Sequence, residues 1–441
     1  MPDVLICYEH IQREVANATM LKYELERRGL SCHIMHFNGP GFYHYSKRKN
    51  RAKVVLCPWL RHNDNVYHYL KLADKMNRLV DIQCEQVYNE KGIASGLCKI
   101  AGESIKASHL CWGENSFKRL VDCGVKPEHL PVTGAIQLDY GRELFKNYYL
   151  PREEISRQYG LDNSKRWCLF VSSFGYANYD ENGIREQVKL FGEHILNLVK
   201  MHKASQSIVL DWIEKLLSSI DCEFIYRPHP SENLCARLNE IQKNHSNFHI
   251  ISDYSVNQWA KVADSVNLWY STSNAEIVSL GVNYEIIRPI KIPDELEIES
   301  MRQEKHITSC DDFVRFNEGD WRLSYDIQQR RDMLRYYYSN ISNDFSACEK
   351  IIDYIESLIK DEKIMSFKFK FSETLRYEKL EISKRVISFI METQIRYPRY
   401  RFIEKLPLKK IIRKNLVRKV DLYYQMLETQ RKMDDYLSAI L

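Results

Sequence analysis

The sequence predicts an α/β protein with two successive parallel-sheet domains and a helical C-terminal third. Apolar, β-leaning runs alternate with amphipathic segments along the first 300 residues, and this alternation restarts near residue 165. After about residue 320, glycine almost disappears, and charged residues mix with Tyr, Ile and Leu at helical spacing. A chain of 441 residues is also too long for one ordinary hydrophobic core. We therefore predict domains at 1–150 and 151–320, followed by a helical extension at 321–441.

The first domain is predicted to consist of βαβ units. The apolar run DVLICYEH suits a strand, and the amphipathic segment that follows it, up to Gly29, has the spacing of a helix. The same rhythm continues along the domain, which predicts a parallel sheet covered by helices. The predicted strands are 3–10, 31–38 and 52–59, the helix is 13–29, and 109–125 and 130–139 hold a strand–turn–helix and a strand with a loop.

The second domain repeats the pattern. The predicted strands are 166–173, 222–227 and 248–253, with a long helical region at 183–219, a helix at 255–263 and a strand followed by a helix within 265–282. In open parallel sheets, ligands bind beyond the carboxyl ends of the strands. We therefore expect a ligand site at the strand ends, in a cleft between the two domains.

Composition and charge narrow the functional classes. The formal net charge of +5 is mild for this length and does not suggest a dedicated nucleic-acid binder. Twelve cysteines without a C-x-x-C pair argue against a zinc site of the usual spacing and against a disulfide framework. The N-terminus runs directly into a predicted strand without a signal peptide, and no run of 18 apolar residues occurs. These features predict a cytoplasmic protein with reduced thiols.

The segment CEFIYRPHPSEN at 222–233 ends a predicted strand with two prolines around a histidine. Arg227 can pair bidentately with a phosphate, and His229 can donate to a phosphate oxygen. Pro228 and Pro230 reduce the entropy that is lost in holding that geometry. The segment is therefore a candidate phosphate-binding loop, and the alternative is a rigid turn without a ligand.

Hydroxyl groups follow another strand of the same domain. Ser271, Thr272 and Ser273 lie between the strand NLWY and a predicted helix, whose N-terminal hydroxyls and N–H groups can hold an anion. Glu276 lies one turn into that helix and can accept hydrogen bonds from ribose hydroxyls. The alternatives are an ordinary N-cap, or a capping box between Ser273 and Glu276. The first strand of the domain adds Ser172, Ser173 and Asn178 to the candidate donor-binding residues.

The order of these motifs resembles a family. The HP motif followed by S-T-S in a second α/β domain is similar to bacterial sialyltransferases and Kdo transferases, and more distantly to CDP-glycerol glycerophosphotransferase-like enzymes. In the first half, EHIQREVANATMLKYELERRG, CEQVYNEKG and CWGENSFKRLVDCGVKPEHLPVTGAIQLD resemble bacterial surface-carbohydrate biosynthesis proteins of GT-B fold. The resemblance covers roughly residues 3 to 300.

The resemblance implies a GT-B glycosyltransferase with two Rossmann-like domains facing a cleft. The donor nucleotide would lie in the second domain, and the acceptor would face the first. In the sialyl- and Kdo-transferase groups, the HP histidine and later serines hold the phosphate of a CMP-linked sugar. The resemblance implies that role for His229 and for Ser271–Ser273. It leaves open which hydroxyl of the segment contacts the phosphate.

Transfer to an acceptor hydroxyl with inversion requires a general base, whereas a retaining route requires a carboxylate nucleophile or ion-pair stabilisation. Three carboxylates follow predicted strands of the first domain: Glu14, Glu85 and Glu114. Glu14 has a structural alternative, because an acidic residue in a first helical turn meets the helix dipole favourably. We place His10 and Arg13 among the acceptor-binding residues.

No metal or cofactor is expected. A D-x-D flanked by apolar residues, the usual metal-binding pattern of the other main glycosyltransferase fold, is missing from the sequence. The nucleotide phosphate of the donor leaves as an anion, which His229 and Arg227 can stabilise without a metal.

The C-terminal third is helical and locally basic. In GT-B proteins the last helices often cross back to the first domain, and the resemblance implies that 325–361 do so here. The segment 396–419 holds ten Lys/Arg and one Glu, interleaved with apolar residues and tyrosines. Such a segment can lie on an anionic membrane surface. The alternatives are a solvated helical face or an oligomer contact. RNA binding is disfavoured, because no nucleic-acid-binding fold signature accompanies the charge.

We therefore predict a transferase of bacterial surface-polysaccharide biosynthesis, of capsule or lipopolysaccharide. It is expected to move an acidic sugar such as Kdo or sialic acid from a CMP donor to a glycan or lipid-linked acceptor, in the cytoplasm or at the inner face of the membrane. A CDP-polyol phosphotransferase, a UDP- or GDP-sugar enzyme and a non-catalytic scaffold with a nucleotide fold remain alternatives. The oligomeric state stays open.

Overall fold

A computed structural model describes residues 1–82, 99–193, 195–229, 232–294, 296–320 and 326–440. The first sheet has five parallel strands in the order β2-β1-β3-β4-β5. Its strands are β1 Val4–Tyr8, β2 Cys32–His36, β3 Ala52–Cys57, β4 Ala73–Asp81 and β5 Ser108–His109. Because β1 lies between β2 and β3, its carboxyl end is a topological switch point, where open sheets bind ligands.

The second sheet has six parallel strands in the order β11-β10-β9-β6-β7-β8. Its strands are β6 Arg166–Val171, β7 Cys222–Arg227, β8 Phe248–Ile250, β9 Ser265–Leu268, β10 Glu285–Ile287 and β11 His306–Ile307. The chain runs from β6 towards one edge and from β9 towards the other, so the switch point lies beside β6. The three predicted ligand-bearing segments follow β6, β7 and β9.

Helices cover both sheets and make up the C-terminal third. A π-helical turn, Ile11–Val15, precedes α1. The α-helices of the first half are α1 Ala16–Arg27, α2 Phe42–Tyr45, α3 Asn63–Leu70, α4 Glu114–Asp122, α5 Arg152–Tyr159, α6 Glu181–Phe191 and α7 Ile195–Ser219. Those of the second half are α8 Ala236–Asn244, α9 Val256–Val262, α10 Asn274–Ser279, α11 Cys310–Glu318, α12 Ile327–Leu334, α13 Ala347–Lys360, α14 Phe371–Arg396, α15 Phe402–Lys405 and α16 Lys410–Ile440.

The α/β class is confirmed, and the differences are local. The region 183–219 forms two helices, α6 and α7, rather than one. The segment 130–139 forms only a bridge between Cys111 and Val132 and then a 3₁₀ turn, so the predicted strand there was wrong. The short strands β10 and β11 were not predicted, because two or three residues give no readable alternation.

The C-terminal helices fold back onto the first domain, as predicted for 325–361. Helix α13 buries Ile351 and Ile355 in the same core as Val4 and Ile6 of β1. Helix α16 then packs along α1 and the π-helical turn, where Met426 joins a small cluster with Tyr8 and Val15. The extension is therefore part of the first domain's packing.

Asp139 holds the crossover in place. Its buried carboxylate accepts hydrogen bonds from Asn340 Nδ2 (3.3 Å), Ser346 Oγ (2.9 Å), and the backbone N–H groups of Ala347 (2.9 Å) and Cys348 (2.8 Å). The last two are helix N-terminal donors, which have no partner within their own helix. Asp139 therefore caps α13 from a segment about 200 residues earlier in the chain.

We expect Asp139→Ala to destabilise the fold by about 3 kcal/mol, because several buried donors lose their acceptor. Urea unfolding of the variant and the wild type measures this loss. The matched control is Asp353→Ala on the same helix, whose exposed carboxylate pairs with Arg28 and should contribute less than about 1 kcal/mol. Equal effects of the two substitutions would contradict the capping role.

Candidate functional site

Three strand ends of the second sheet supply the predicted donor-binding residues. The main chain turns sharply after β9, where Tyr270 adopts a left-handed conformation with φ of 52°. This turn brings the Ser271–Ser273 segment back to the start of α10. Because parallel strands end at the same edge of a sheet, the segments after β6, β7 and β9 share one edge.

A hydrogen-bond network centred on Glu232 joins the ends of β6 and β7. The Glu232 carboxylate accepts from Ser172 Oγ at 2.6 Å, from the Tyr226 hydroxyl at 2.6 Å and from the His229 backbone N–H at 3.2 Å. Tyr226 also donates to Ser172 Oγ at 2.8 Å. Burial raises the pKa of Glu232 above its ordinary value. The network fixes the backbone of His229 while its side chain is exposed.

Glu232 was not predicted as a site residue, although it lies within the quoted segment CEFIYRPHPSEN. The sequence did contain a clue, because an acidic residue three positions after the histidine can accept a hydrogen bond from the histidine's backbone N–H. Asn178 acts similarly, because its Nδ2 donates to the carbonyl of Asn233 at 2.7 Å and joins the two loops. Ser173 is half-buried beside this network. Pro230 lies outside the described residues.

Arg227 makes different contacts from those expected of a phosphate ligand. Its guanidinium donates to the carbonyls of Ser252 (3.1 Å), Asp253 (2.8 Å) and Tyr254. Burial lowers its pKa to about 10. Arg227 therefore ties the end of β7 to the loop after β8, and its positive charge lies just beneath the strand-end edge.

The hydroxyl segment after β9 is not an ordinary capped helix start. Ser273 occupies the N-cap position of α10 without a side-chain cap hydrogen bond, so the predicted alternative of a capping box with Glu276 does not form. Ser271 Oγ instead accepts from the Ser273 N–H at 3.4 Å. Thr272 is exposed. The hydroxyl groups of this segment are not used to cap α10.

Glu276 connects the two halves of the site. Its side chain is half-buried, and within the described part of the chain no donor hydrogen-bonds its carboxylate. Burial raises its pKa from 4.5 to about 7, and the positive charges of Arg13 and Arg227 oppose this rise. Arg13 belongs to the first domain and Arg227 to the second. The Glu276 carboxyl thus lies within electrostatic reach of one arginine from each domain.

The raised pKa of Glu276 predicts a pH-dependent stability. A raised folded-state pKa favours the protonated acid, so the stability it contributes is complete below pH 4.5 and is lost as the pH rises towards 7. Glu276→Gln, which stays neutral, should therefore match the wild type near pH 5 and exceed its stability at pH 8 by about 1–3 kcal/mol. Thermal unfolding at both pH values checks this. A variant that is destabilised equally at both would contradict it.

On the first sheet, Glu14 lies in the π-helical turn after β1 rather than in the first turn of a regular helix. Its buried carboxylate accepts from the Glu9 backbone N–H at 2.7 Å and from Arg13 Nε and Nη2 at 2.9 and 2.7 Å. Both oxygens are therefore occupied. Glu14 orients Arg13 and holds the backbone at the end of β1.

Glu9 is a site residue that the sequence interpretation missed. Its carboxylate accepts from Trp59 Nε1 at 3.0 Å and lies 3.8 Å from both His10 Nε2 and Arg13 Nη2. It is partly exposed, as are the predicted acceptor residues His10 and Arg13. The predicted strand 3–10 included Glu9, but β1 ends at Tyr8. The residue therefore stands at the switch point rather than inside a strand.

The other carboxylate candidates are placed elsewhere. Glu114 begins α4 with a largely exposed side chain and pairs with Lys118 at 2.7 Å. It shares no described contact with Glu9 or Glu14. Glu85 lies outside the described residues.

His202 is a third residue that the motifs did not reveal. It is buried on α7 against Trp269 and Tyr270, with ring centroids 4.7 and 5.8 Å away. Burial lowers its pKa to about 3, so it is neutral. The charge of His229 also acts on it and lowers its pKa. Neither ring nitrogen has a hydrogen-bond partner among the described residues. A buried neutral imidazole thus lies behind the exposed histidine of the HP loop.

In the part of the chain that the structure describes, no group of three or more His, Cys, Asp or Glu side chains is arranged to hold a metal ion. Metal independence stays a prediction. Among the same residues, every helix is too short or too polar to cross a membrane.

Known proteins share this architecture at low sequence identity. The UDP-GlcNAc 2-epimerase of Methanocaldococcus jannaschii, solved with UDP-GlcNAc and UDP, superposes with a TM-score of 0.50 at 12% identity, over 80% of this chain and 99% of its own. The wall teichoic acid polymerase TagF, in a variant soaked with CDPG, superposes with a TM-score of 0.51 at 11% identity, over 82% of this chain and 89% of its own. The fold is GT-B. No protein-family model and no curated protein sequence matches the chain.

Proposed function

We propose that this protein is a glycosyltransferase of bacterial surface-glycan biosynthesis that uses a nucleotide-linked sugar. The carrying observation is that the loops after β6, β7 and β9 share one edge of the second sheet, where Glu276 feels the charges of Arg227 and of Arg13 from the first domain. The fold shared with enzymes solved with UDP-GlcNAc or CDPG supports a nucleotide-linked ligand. We propose that the nucleotide-linked donor binds at the second sheet and that the acceptor binds at the first.

In this proposal His229 and the hydroxyls of Ser271–Ser273 hold the donor phosphate, and Glu276 accepts from the ribose hydroxyls in its ionised form. Ser172, Glu232 and Asn178 hold the loop around them. Arg227 supports the edge through the main chain and contributes positive charge. A preorganised donor set of this kind stabilises the charge that develops on a departing phosphate.

We propose Glu9 as the general base of an inverting transfer. The acceptor oxygen bonds to the anomeric carbon while the bond from that carbon to the phosphate oxygen breaks. The acceptor proton passes to the Glu9 carboxylate, and the nucleotide leaves as an anion. Glu9 suits this step because it is partly exposed, whereas Glu14 is buried with both oxygens bonded. His10 and Arg13 bind and orient the acceptor beside it.

The resemblance of the HP and S-T-S motifs favours a CMP-linked acidic sugar such as Kdo or sialic acid, for capsule or lipopolysaccharide. A CDP-polyol phosphotransferase is the second candidate, favoured by the fold shared with TagF soaked with CDPG. Both would use the same phosphate-holding groups. The acceptor is a glycan or a lipid-linked glycan, and the basic segment 396–419 would hold the enzyme near an anionic membrane surface.

The test is nucleotide release from a donor panel of CMP-Kdo, CMP-sialic acid, CDP-glycerol and UDP- and GDP-sugars. We expect CMP release from a CMP-sugar, increased by a lipid-linked acceptor and reduced in Glu9→Gln. Release from CDP-glycerol alone would favour the phosphotransferase. No turnover and no nucleotide binding with any donor would support a non-catalytic scaffold.

A further inference from the structure

Helix α14 exposes a row of large apolar side chains along its outer side. Five of them recur at spacings of four, seven, four and three residues, which places them on one face of an α-helix. They are Phe371 (80% exposed), Leu375 (58%), Ile382 (53%), Val386 (54%) and Phe389 (47%). A soluble domain rarely leaves such a continuous apolar row uncovered. We call these five residues the apolar row.

The inner side of the same helix holds all of its acidic residues. Glu378 accepts from Tyr67 and Lys71, and the buried Glu381 pairs with His68 at 2.9 Å. Glu392 accepts from the Gly41 N–H, and Glu373 accepts from Asn63 Nδ2. These bonds to the first domain fix the rotation of the helix, so the apolar row cannot turn inwards without breaking them.

The charges left on the outer side are therefore of one sign. The exposed charged residues of α14 are Arg376, Lys379 and Arg396, and none of its glutamates is fully exposed. An outer face that combines apolar side chains with only basic charges is complementary to an anionic, partly apolar surface. A second copy of the same face would bring like charges together.

The basic segment 396–419 continues directly from this helix. It exposes Tyr397 and Tyr400, by 50% and 65%, residues of the type that lie at lipid headgroups. Met391, Ile403 and Leu416 form a buried cluster that fixes the segment to the end of α14. The exposed basic side chains of the segment are Arg396, Arg399, Arg401, Lys405, Lys409, Lys410, Lys414 and Arg418.

We propose that the outer face of α14 and the segment 396–419 form one docking surface for an anionic lipid bilayer. The apolar row inserts among the headgroups, and the basic residues contact anionic lipids. Only the role of this docking, which is to bring the enzyme to a lipid-linked acceptor, rests on the proposed function. The binding itself depends on the contacts described above and not on catalysis.

The test is flotation of the full-length protein with vesicles of phosphatidylcholine, with and without phosphatidylglycerol. We expect binding that requires the anionic lipid and weakens with salt. The combined variant Ile382→Ser, Val386→Ser, Phe389→Ser should bind about tenfold more weakly or worse. Val121→Ser, at an exposed apolar position on α4 (37% exposed), is the control and should bind like the wild type.

Three outcomes would overturn the proposal. The wild type could fail to bind anionic vesicles, or the combined variant could bind them as well as the wild type. Sedimentation could instead show a wild-type dimer that the combined variant dissociates, which would assign the apolar row to a second copy. Nucleotide-dependent thermal stabilisation of the same variants separates the two proposals, because a defect in lipid docking leaves that stabilisation intact.

Discussion

His229→Ala should lower kcat/KM for the nucleotide-linked donor by about 10²–10³-fold. The side chain is exposed, and its backbone N–H is bonded to Glu232 at 3.2 Å, which fixes the main chain that carries the imidazole. Loss of one preorganised donor to a developing phosphate charge has an effect of this size. Steady-state kinetics with the donor identified in the panel measures it.

The control is His245→Ala, a half-buried histidine that follows α8 in the same domain and whose backbone bonds to the Ile241 carbonyl and the Phe248 N–H. This variant should retain wild-type kinetics. Thermal unfolding of His229→Ala without ligand should match the wild type, because an exposed side chain contributes little to stability. Full activity of His229→Ala would remove the HP loop from the proposed mechanism and leave it as a rigid turn.

Glu9→Gln should lower kcat by about 10²–10⁴-fold while leaving donor affinity unchanged. The amide keeps the shape of the side chain but cannot take the acceptor proton. Donor affinity should persist because the donor-holding groups belong to the second domain. Single-turnover kinetics, together with nucleotide binding by calorimetry, separate the chemical step from binding.

Glu14→Gln provides the matched comparison. This substitution should chiefly lower the free energy of unfolding, by about 2 kcal/mol, because it replaces a buried carboxylate that has charge-assisted bonds to Arg13. Its pH–rate profile should retain the shape of the wild-type profile, since the base is unchanged. If Glu14→Gln loses the acidic limb of that profile and Glu9→Gln keeps it, the two roles are reversed.

Much of the fold follows from the sequence because its cues are local. Parallel sheets leave near-continuous apolar runs, such as VLICY in β1 and CEFIYR in β7, and these runs marked the carboxyl edge where Ser172, His229 and Ser271 stand. The helical spacing of α13 predicted a helix, and its return to the first domain was expected from the resemblance to GT-B proteins. Among the elements that were missed, β10 and β11 are too short to give a pattern.

The site was harder to predict because its contacts are distant in sequence or depend on one-residue boundaries. Glu9 was hidden by a strand end placed two residues too late. The sequence predicted Arg227 as a phosphate ligand. In the structure its guanidinium instead donates to main-chain carbonyls of the loop after β8. No local pattern could show that Arg13 and Glu276, from different domains, lie within electrostatic reach of each other.

The central claim, that the cleft binds a nucleotide through the HP loop, is tested most directly by thermal unfolding with CMP, CDP, UDP, GDP and CDP-glycerol. A nucleotide at a hundredfold its dissociation constant should stabilise the wild type by about 2.7 kcal/mol. We expect CMP to give the largest shift and His229→Ala to abolish it. A larger shift with UDP or GDP would keep the transferase proposal and correct its donor. No shift with any nucleotide, or an equal shift in His229→Ala, would contradict the claim.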